Sequence, residues 1–303
     1  MMLPRVISFY RRVRAWMQGT DAHERTLELL GALLAQGVAG RSGISSLREV
    51  EFRVFSQWGD DGIIQWIISH MPSTPKRFVE FGVEDYSESN TRFLMVNNNW
   101  TGLVMDGSSE NIARLRSRKW FWRYGLTAIP CFVTRDNVDA LISEWAADQE
   151  IGLLHIDVDG NDYWLWDAIR CTSPSLCIME YNALFGNERA ITIPYTADFR
   201  RFDAHYSGQY FGASLAALTV LARAKGYALV GTNSAGNNAY FVRADLVSDS
   251  LREVELREAF TMPTFRDSRD RRHRLDYLPY DQRQSSIRGL PVLNVLSGQI
   301  ESF

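Results

Sequence analysis

The stretch LLHIDVDGNDYWLWDAI, residues 153–169, decides the fold. Leu153, Leu154, His155 and Ile156 run into Asp157, Asp159 and Asp162, and an aromatic-rich helical pattern follows at once. A short apolar run closed by a polar turn reads as a strand buried on both faces. A helix directly behind it makes the unit a strand, a turn and a crossover, the repeating piece of a parallel sheet. The three carboxylates then fall at the carboxyl end of the strand, where open α/β sheets bind their ligands.

Working outward, the same unit recurs. KRFVEFGV (76–83), TGLVMDGS (101–108), LTAIPCFVT (126–134) and PSLCIMEYN (174–182) read as further strands. Helical patterns separate them at 88–98, 109–120, 136–149 and 163–169, the third with Asp136 or Asn137 as its N-cap. DDGIIQWIISHM (60–71) is a helix closed by Pro72 and Pro75, and FGASLAALTVLARAKG (211–226) is a long one with Gly226 as its C-cap. YALVGTN (227–233) and NAYFVRAD (238–245), split by SAGN, form a closing hairpin. The expectation is a doubly wound, seven-stranded, mostly parallel sheet whose last strand is antiparallel. That order is the Rossmann-like architecture of class I S-adenosylmethionine-dependent methyltransferases. Residues 1–50 read as an N-terminal helical extension, 51–245 as the Rossmann-like domain, and 246–303 as a C-terminal extension packed on the core.

Composition narrows the partners. Of 303 residues, 23% are charged and the formal net charge is -3, which gives no electrostatic footprint for nucleic acid. Cys131, Cys171 and Cys177 are too few and scattered for a disulfide framework or a zinc site, so a reducing, cytoplasmic setting is expected. No apolar run approaches the ~20 residues of a membrane span, and the N-terminus lacks a signal-peptide core. MMLPRVISFYRRVRAWMQ (1–18) carries Arg5, Arg11, Arg12 and Arg14 with no acid. It suits peripheral contact with a membrane surface, or a packing or homo-oligomer helix, the commoner use of such a pattern. ERTLELLGALLAQ (24–36) is a second helical pattern, ending at Gly37.

The candidate chemistry sits at strand ends. In VEFGVEDYSESN (79–90), Glu80 and Gly82 occupy the acidic-x-glycine turn after the first strand, where glycine lets the backbone approach a cofactor. Glu84, Asp85 and Ser87 stand where more glycines are expected, and a plain polar loop explains the segment equally well. The second strand ends in Asp106, Gly107 and Ser108, and Asp106 follows Glu80 by 26 residues. That is near the offset at which an acid meets ribose hydroxyls. Asp157 and Asp159 end the fourth strand, Glu180 and Asn182 the fifth. Three carboxylates and an amide oxygen suit Mg²⁺, Mn²⁺ or Ca²⁺, with Asp157, Glu180 and Asn182 as ligands. The alternative is that Asp159 and Gly160 only make a turn. Asp162 reads as a helix cap, and His155 as a satisfied core histidine.

FSQWGDDGII (55–64), with Ser56, Gln57, Asp60 and Asp61, reads as capping chemistry at a helix start. The segment also resembles the Ser-Gln-x-Gly-acid element that precedes the first strand in the FkbM family of methyltransferases. IDVDGND (156–162) is similar to that family's element after the fourth strand. The resemblance spans roughly residues 51–245 and departs at the first loop, which in the family is richer in glycine and asparagine. It implies an S-adenosylmethionine-dependent O-methyltransferase acting on sugars or secondary metabolites, with Gln57, Glu80, Gly82, Asp106, Gly107, Ser108 and Asp157 around the cofactor. The acceptor is expected to be a small molecule or glycan, on its sugar hydroxyl. A cation would orient that hydroxyl; without one, Asp157 or His205 would serve as base. Residues 194–214, rich in aromatics, suit a sugar, and a plain packed loop explains them equally well. The arginines of RDSRDRRHR (266–274) suit a phosphate or, more commonly, a solvated loop. A catalytically degenerate scaffold is a second reading. A nicotinamide-dependent oxidoreductase is a third, weakened by the missing G-x-G-x-x-G.

Overall fold

The computed structural model describes residues 22–303, so the basic segment 1–18 lies outside the described residues. A helix covers 22–39 (α1), and its small residues let it lie close to the body. A Cβ on Gly31 would stand 2.5 Å from Val54 and 2.9 Å from Phe93. The elements that follow are α2 (Asp60–His70), β1 (Arg77–Phe81), α3 (Arg92–Asn98), β2 (Thr101–Asp106), α4 (Ser109–Arg116) and β3 (Leu126–Pro130). Then come α5 (Val138–Ala146), β4 (Leu153–Ile156), α6 (Asp162–Ala168), β5 (Leu176–Glu180), β6 (Ile191–Thr192) and α7 (Arg201–Ala204). The chain continues with α8 (Leu215–Ala224), β7 (Tyr227–Thr232), β8 (Asn238–Arg243), α9 (Leu256–Ala259), α10 (Tyr280–Ser286), β9 (Pro291–Asn294) and β10 (Gln299–Ser302).

Seven strands form one sheet in the order β3-β2-β1-β4-β5-β8-β7. β1 to β5 run parallel, and β8 is antiparallel to both β5 and β7. This is the class I methyltransferase arrangement expected above, a Rossmann-like doubly wound sheet. Alternation along the strands sorts side chains onto two faces. Val79, Phe81, Leu154, Ile156, Cys177 and Met179 pack with residues of α5, α6 and α8. Phe78, Leu153, Ile178, Tyr240 and Val242 pack with residues of α2, α3 and α4. The central strands are covered on both sides, which is why they read as continuous apolar runs.

Parity has a consequence for the site. Glu80, His155, Glu180 and Asn238 share the face covered by α2. Across that face Glu80 pairs in register with His155, and Glu180 with Asn238. A second sheet, β10-β9-β6, ties the C-terminal segment to the excursion after β5. The C-cap of α8 is Lys225 rather than Gly226, which lies one residue beyond with φ +81°. Asn137 occupies the N-cap position of α5, but its Oδ1 accepts from the Thr134 amide instead of capping the helix. Among the described residues no helix is long and apolar enough to cross a membrane.

Candidate active site

A cleft of about 720 Å³ opens at the carboxyl ends of β1, β2, β4 and β5 and the amino end of β8. Its floor is fixed by a close backbone approach. Gly82, just after β1, has φ +76°, and a Cβ there would lie 1.6 Å from the Asp157 carbonyl oxygen. The loops after β1 and β4 therefore touch at the one residue able to allow it. Beyond Gly82, Glu84 and Tyr86 adopt φ of 47° and 61°, the left-handed region that glycine would occupy without strain. Both are pinned. The Glu84 amide donates to Asp106 Oδ2 at 2.9 Å, and the buried Tyr86 hydroxyl meets Thr91 Oγ1 at 2.7 Å. This is how the glycine-poor loop is accommodated.

Asp106 ends β2 and lines the cleft. Its two oxygens hold the loops on either side: Oδ2 accepts from Glu84, and Oδ1 from the Ser108 amide at 2.8 Å. Gly107 also lines the cleft, whereas Ser108 caps α4 by accepting from the Asn111 amide at 3.2 Å and is not part of the lining. Gln57 lines the mouth beside Trp58, which stacks on Phe265 with centroids 5.5 Å apart.

Glu80 is the anchor behind this wall. It accepts from Ser89 Oγ at 2.7 Å, the Asn90 amide at 3.1 Å and Thr91 Oγ1, and it pairs with His155 Nδ1 at 2.9 Å. Burial pushes its carboxyl up, but His155, Thr91 and Ser89 more than offset this, so it stays below the usual range. Burial pulls the other way on His155, yet the hydrogen bond and charge of Glu80 raise its imidazole above the ordinary value. The two are an internal ion pair that orders residues 89–91 and places a positive charge behind Asp157.

Three carboxylates face one another next to it. Asp157, Asp162 and Glu180 have oxygens within 4.8 Å of each other. Burial raises Asp157 to about 7, with Asp159 adding to the shift and His155 opposing it. Glu180 rises well above its usual range, first through burial and then through Asp157. Its Oε2 is buried without a partner. Two carboxyls that close cannot both ionise freely, so the pair retains a proton near neutrality. Asp162, pushed to about 6 by burial, spends its oxygens on the Val158 and Gly160 amides at 2.9 and 3.0 Å, tying the turn before α6 as a cap.

The structure separates two further candidates from this group. Asn182 does not join the carboxylates. Its Nδ2 donates to the Gln209 and Phe211 carbonyls at 2.9 and 3.0 Å, and its Oδ1 accepts from the Leu184 amide at 3.0 Å. The chain leaves β5 into a 3-10 turn (Ala183–Phe185), which turns the amide away from the cleft, and Asp162 takes its place. His205 is not among the cleft's lining residues; its Nδ1 meets Ser207 Oγ at 2.8 Å.

Other lining residues are not singled out by the sequence, although Arg201 falls within the aromatic-rich stretch 194–214. Arg201 spans the cleft mouth, donating to Asp159 at 2.8 Å and Asp267 at 2.7 Å, with its guanidinium 4.0 Å over Phe211. Asn237 and Asn238 arrive from the amino end of β8. The only signal for them was the Asn pair in the closing hairpin, since an antiparallel strand starts where its parallel neighbours end. Asn161 was hidden as a routine residue at a helix start.

No family model and no curated protein matches the chain. Among solved structures, it is similar to one titled "Structure of the Pyocyanin Biosynthetic Protein PhzM", at 10% identity and a TM-score of 0.34. The overlap covers 59% of this chain and 53% of that one, about half of that protein's length.

Proposed function

We propose that this chain is an S-adenosylmethionine-dependent O-methyltransferase acting on a sugar hydroxyl of a glycan or glycosylated metabolite. One observation carries the reading. Asp106, at the end of the second strand, and the Asp157–Glu180 pair, at the ends of the fourth and fifth, converge on one cleft of a β3-β2-β1-β4-β5-β8-β7 sheet. The lining fits the cofactor's chemistry. Glu84, Asp106, Asp157 and Asp159 are among its carboxylates, which suit ribose hydroxyls, an ammonium and a sulfonium. A pyrophosphate would find one arginine there, Arg201, already paired with Asp159 and Asp267. This argues against a nicotinamide dinucleotide.

S-adenosylmethionine, when bound, supplies an electrophilic methyl group. Asp106 would accept the ribose hydroxyl hydrogens, and Gln57, Gly82 and Gly107 would shape the walls around the cofactor. Asp157, titrating near neutrality, takes the proton of the acceptor hydroxyl, and Glu180 beside it keeps its own proton. A second reading is favoured by the three carboxylates within 4.8 Å. In it Asp157, Glu180 and Asp162 hold Mg²⁺ or Mn²⁺, which would lower the acceptor's pKa.

Calorimetric titration with S-adenosylhomocysteine and with NAD⁺ tests the assignment. Binding of the first and not the second is expected, and Asp106→Ala should weaken it by roughly 1.5–3 kcal/mol, the scale of hydrogen bonds to a charged group. Binding of NAD⁺ alone overturns the reading. Full turnover in chelator keeps the proton-transfer form. Loss restored by Mg²⁺ selects the cation form, and cofactor binding without any turnover selects a scaffold.

A further inference from the structure

The far wall of the cleft, where β8 meets β5, has a chemistry of its own. Asn238 sits opposite Glu180 in the strand register. Its Nδ2 donates inward to Asp60 Oδ1 at 2.9 Å, which fixes the amide and leaves Oδ1 on the other side, buried and without a partner. Asn161 repeats the arrangement: Nδ2 donates to the Thr196 carbonyl at 2.9 Å, and Oδ1 is buried without a partner. Glu180 Oε2 is the third such oxygen. These side chains are 3%, 5% and 8% exposed, and all three line the cleft. Buried acceptors are ordinarily satisfied, and these three lack only donors.

Charge points the same way. Eight carboxylates line the cleft, against one arginine and one histidine. Both cations are committed, Arg201 to Asp159 and Asp267 and His155 to Glu80. Trp58, Phe265 and Phe199 add apolar ring faces. The exposed arginines Arg266, Arg271, Arg272 and Arg274 lie outside the lining, so they offer no phosphate site within it.

We propose that this wall binds the methyl acceptor, and that the acceptor is a polyhydroxyl compound without phosphate, either uncharged or carrying an amine, whose hydroxyl or ammonium hydrogens satisfy Asn161, Asn238 and Glu180. Calling it the acceptor rests on the methyltransferase reading; the binding chemistry does not. An anionic sugar is excluded because the carboxylates around the cleft outnumber its two cations, both of which are already paired.

The test uses the full chain saturated with S-adenosylhomocysteine and three probes, glucosamine, glucose and glucose 6-phosphate, compared by saturation-transfer NMR titration at neutral pH. Glucosamine should bind at least ~3-fold more tightly than glucose, and glucose 6-phosphate at least ~10-fold more weakly, the sign expected of an uncompensated acidic wall. Asp157→Asn, which removes the one negative charge the Asp157–Glu180 pair can carry at neutral pH, should bring glucosamine and glucose to within ~2-fold of each other. Asn161→Ala should weaken both by ~5-fold, as loss of one hydrogen bond does, without altering cofactor affinity. Glucose 6-phosphate binding as well as glucose overturns the proposal, and so does the absence of binding by all three. Failure of S-adenosylhomocysteine to bind strikes the methyltransferase reading instead, and the same titrations on the free protein then decide the wall.

Discussion

Asp157 is half-buried, held among acids, and backed by one cation. Its folded-state pKa, about 7, lies above the usual carboxylate value. A proton is thus bound more tightly in the folded than in the unfolded chain. The group's contribution to stability is greatest below the unfolded pKa, near 4, and is lost as pH rises through about 7. Asp157→Asn removes that loss. The variant should be more stable than the parent at about pH 8 by on the order of 1–2 kcal/mol, after allowing for solvent screening, with no gain at about pH 4. Urea unfolding at the two pH values checks this. The same substitution should cut turnover by ~100-fold or more, and parent turnover should climb as pH passes through about 7 and then level off. A flat profile would remove Asp157 as the base. The position was legible because an apolar run breaks there at a strand end. The exchange of Asn182 for Asp162 was not, because it depends on how the chain turns after β5, which no spacing in the sequence reports.

At the scale of elements, the sheet order followed from five strand–helix units and a closing hairpin, since burial on both faces writes itself into unbroken apolar runs. The loop after β1 was less legible. Its missing glycines look like a weakened cofactor turn, whereas Asp106, Thr91 and Glu80 hold Glu84, Tyr86 and residues 89–91 in place through side-chain contacts that no glycine pattern reports. Gly82 is the one glycine the loop cannot lose. Gly82→Ala combines a positive φ with a Cβ 1.6 Å from the Asp157 carbonyl oxygen. It should cost at least about 3 kcal/mol, the sum of backbone strain and overpacking, and abolish cofactor binding. A urea midpoint equal to the parent's would mean that the loops after β1 and β4 separate easily.

Across the whole molecule, Asp60 links the first helix under the sheet to its closing hairpin. Its Oδ1 accepts from Asn233 at 3.1 Å, Asn238 at 2.9 Å and the Tyr240 hydroxyl, partners 173 to 180 residues away. In the sequence Asp60 reads as a helix cap, because a carboxylate at a helix start needs no further explanation. Removing it strips the Asn238 amide and the Tyr240 hydroxyl of their acceptor and leaves Asn233 with Asn237 alone, so Asp60→Ala should destabilise the fold by about 3–5 kcal/mol, and Tyr240→Phe by about 1 kcal/mol. Thermal unfolding of both variants gives the comparison, and equal losses would show that Tyr240 is the bond that matters. The linkage also bears on how the protein is made. During synthesis β1, β2 and β4, with the part of the cleft proposed to hold the cofactor, leave the ribosome long before Asn238 does. Until then Asp60 has neither Asn233, Asn238 nor Tyr240 to bond, and the wall proposed for the acceptor lacks Asn238. A nascent chain can therefore assemble the β1–β4 part of the cleft early, while the wall at β8 arrives only with the β7–β8 hairpin and the lining residues Phe265 and Asp267 later still, so that a product truncated before them carries no complete cleft.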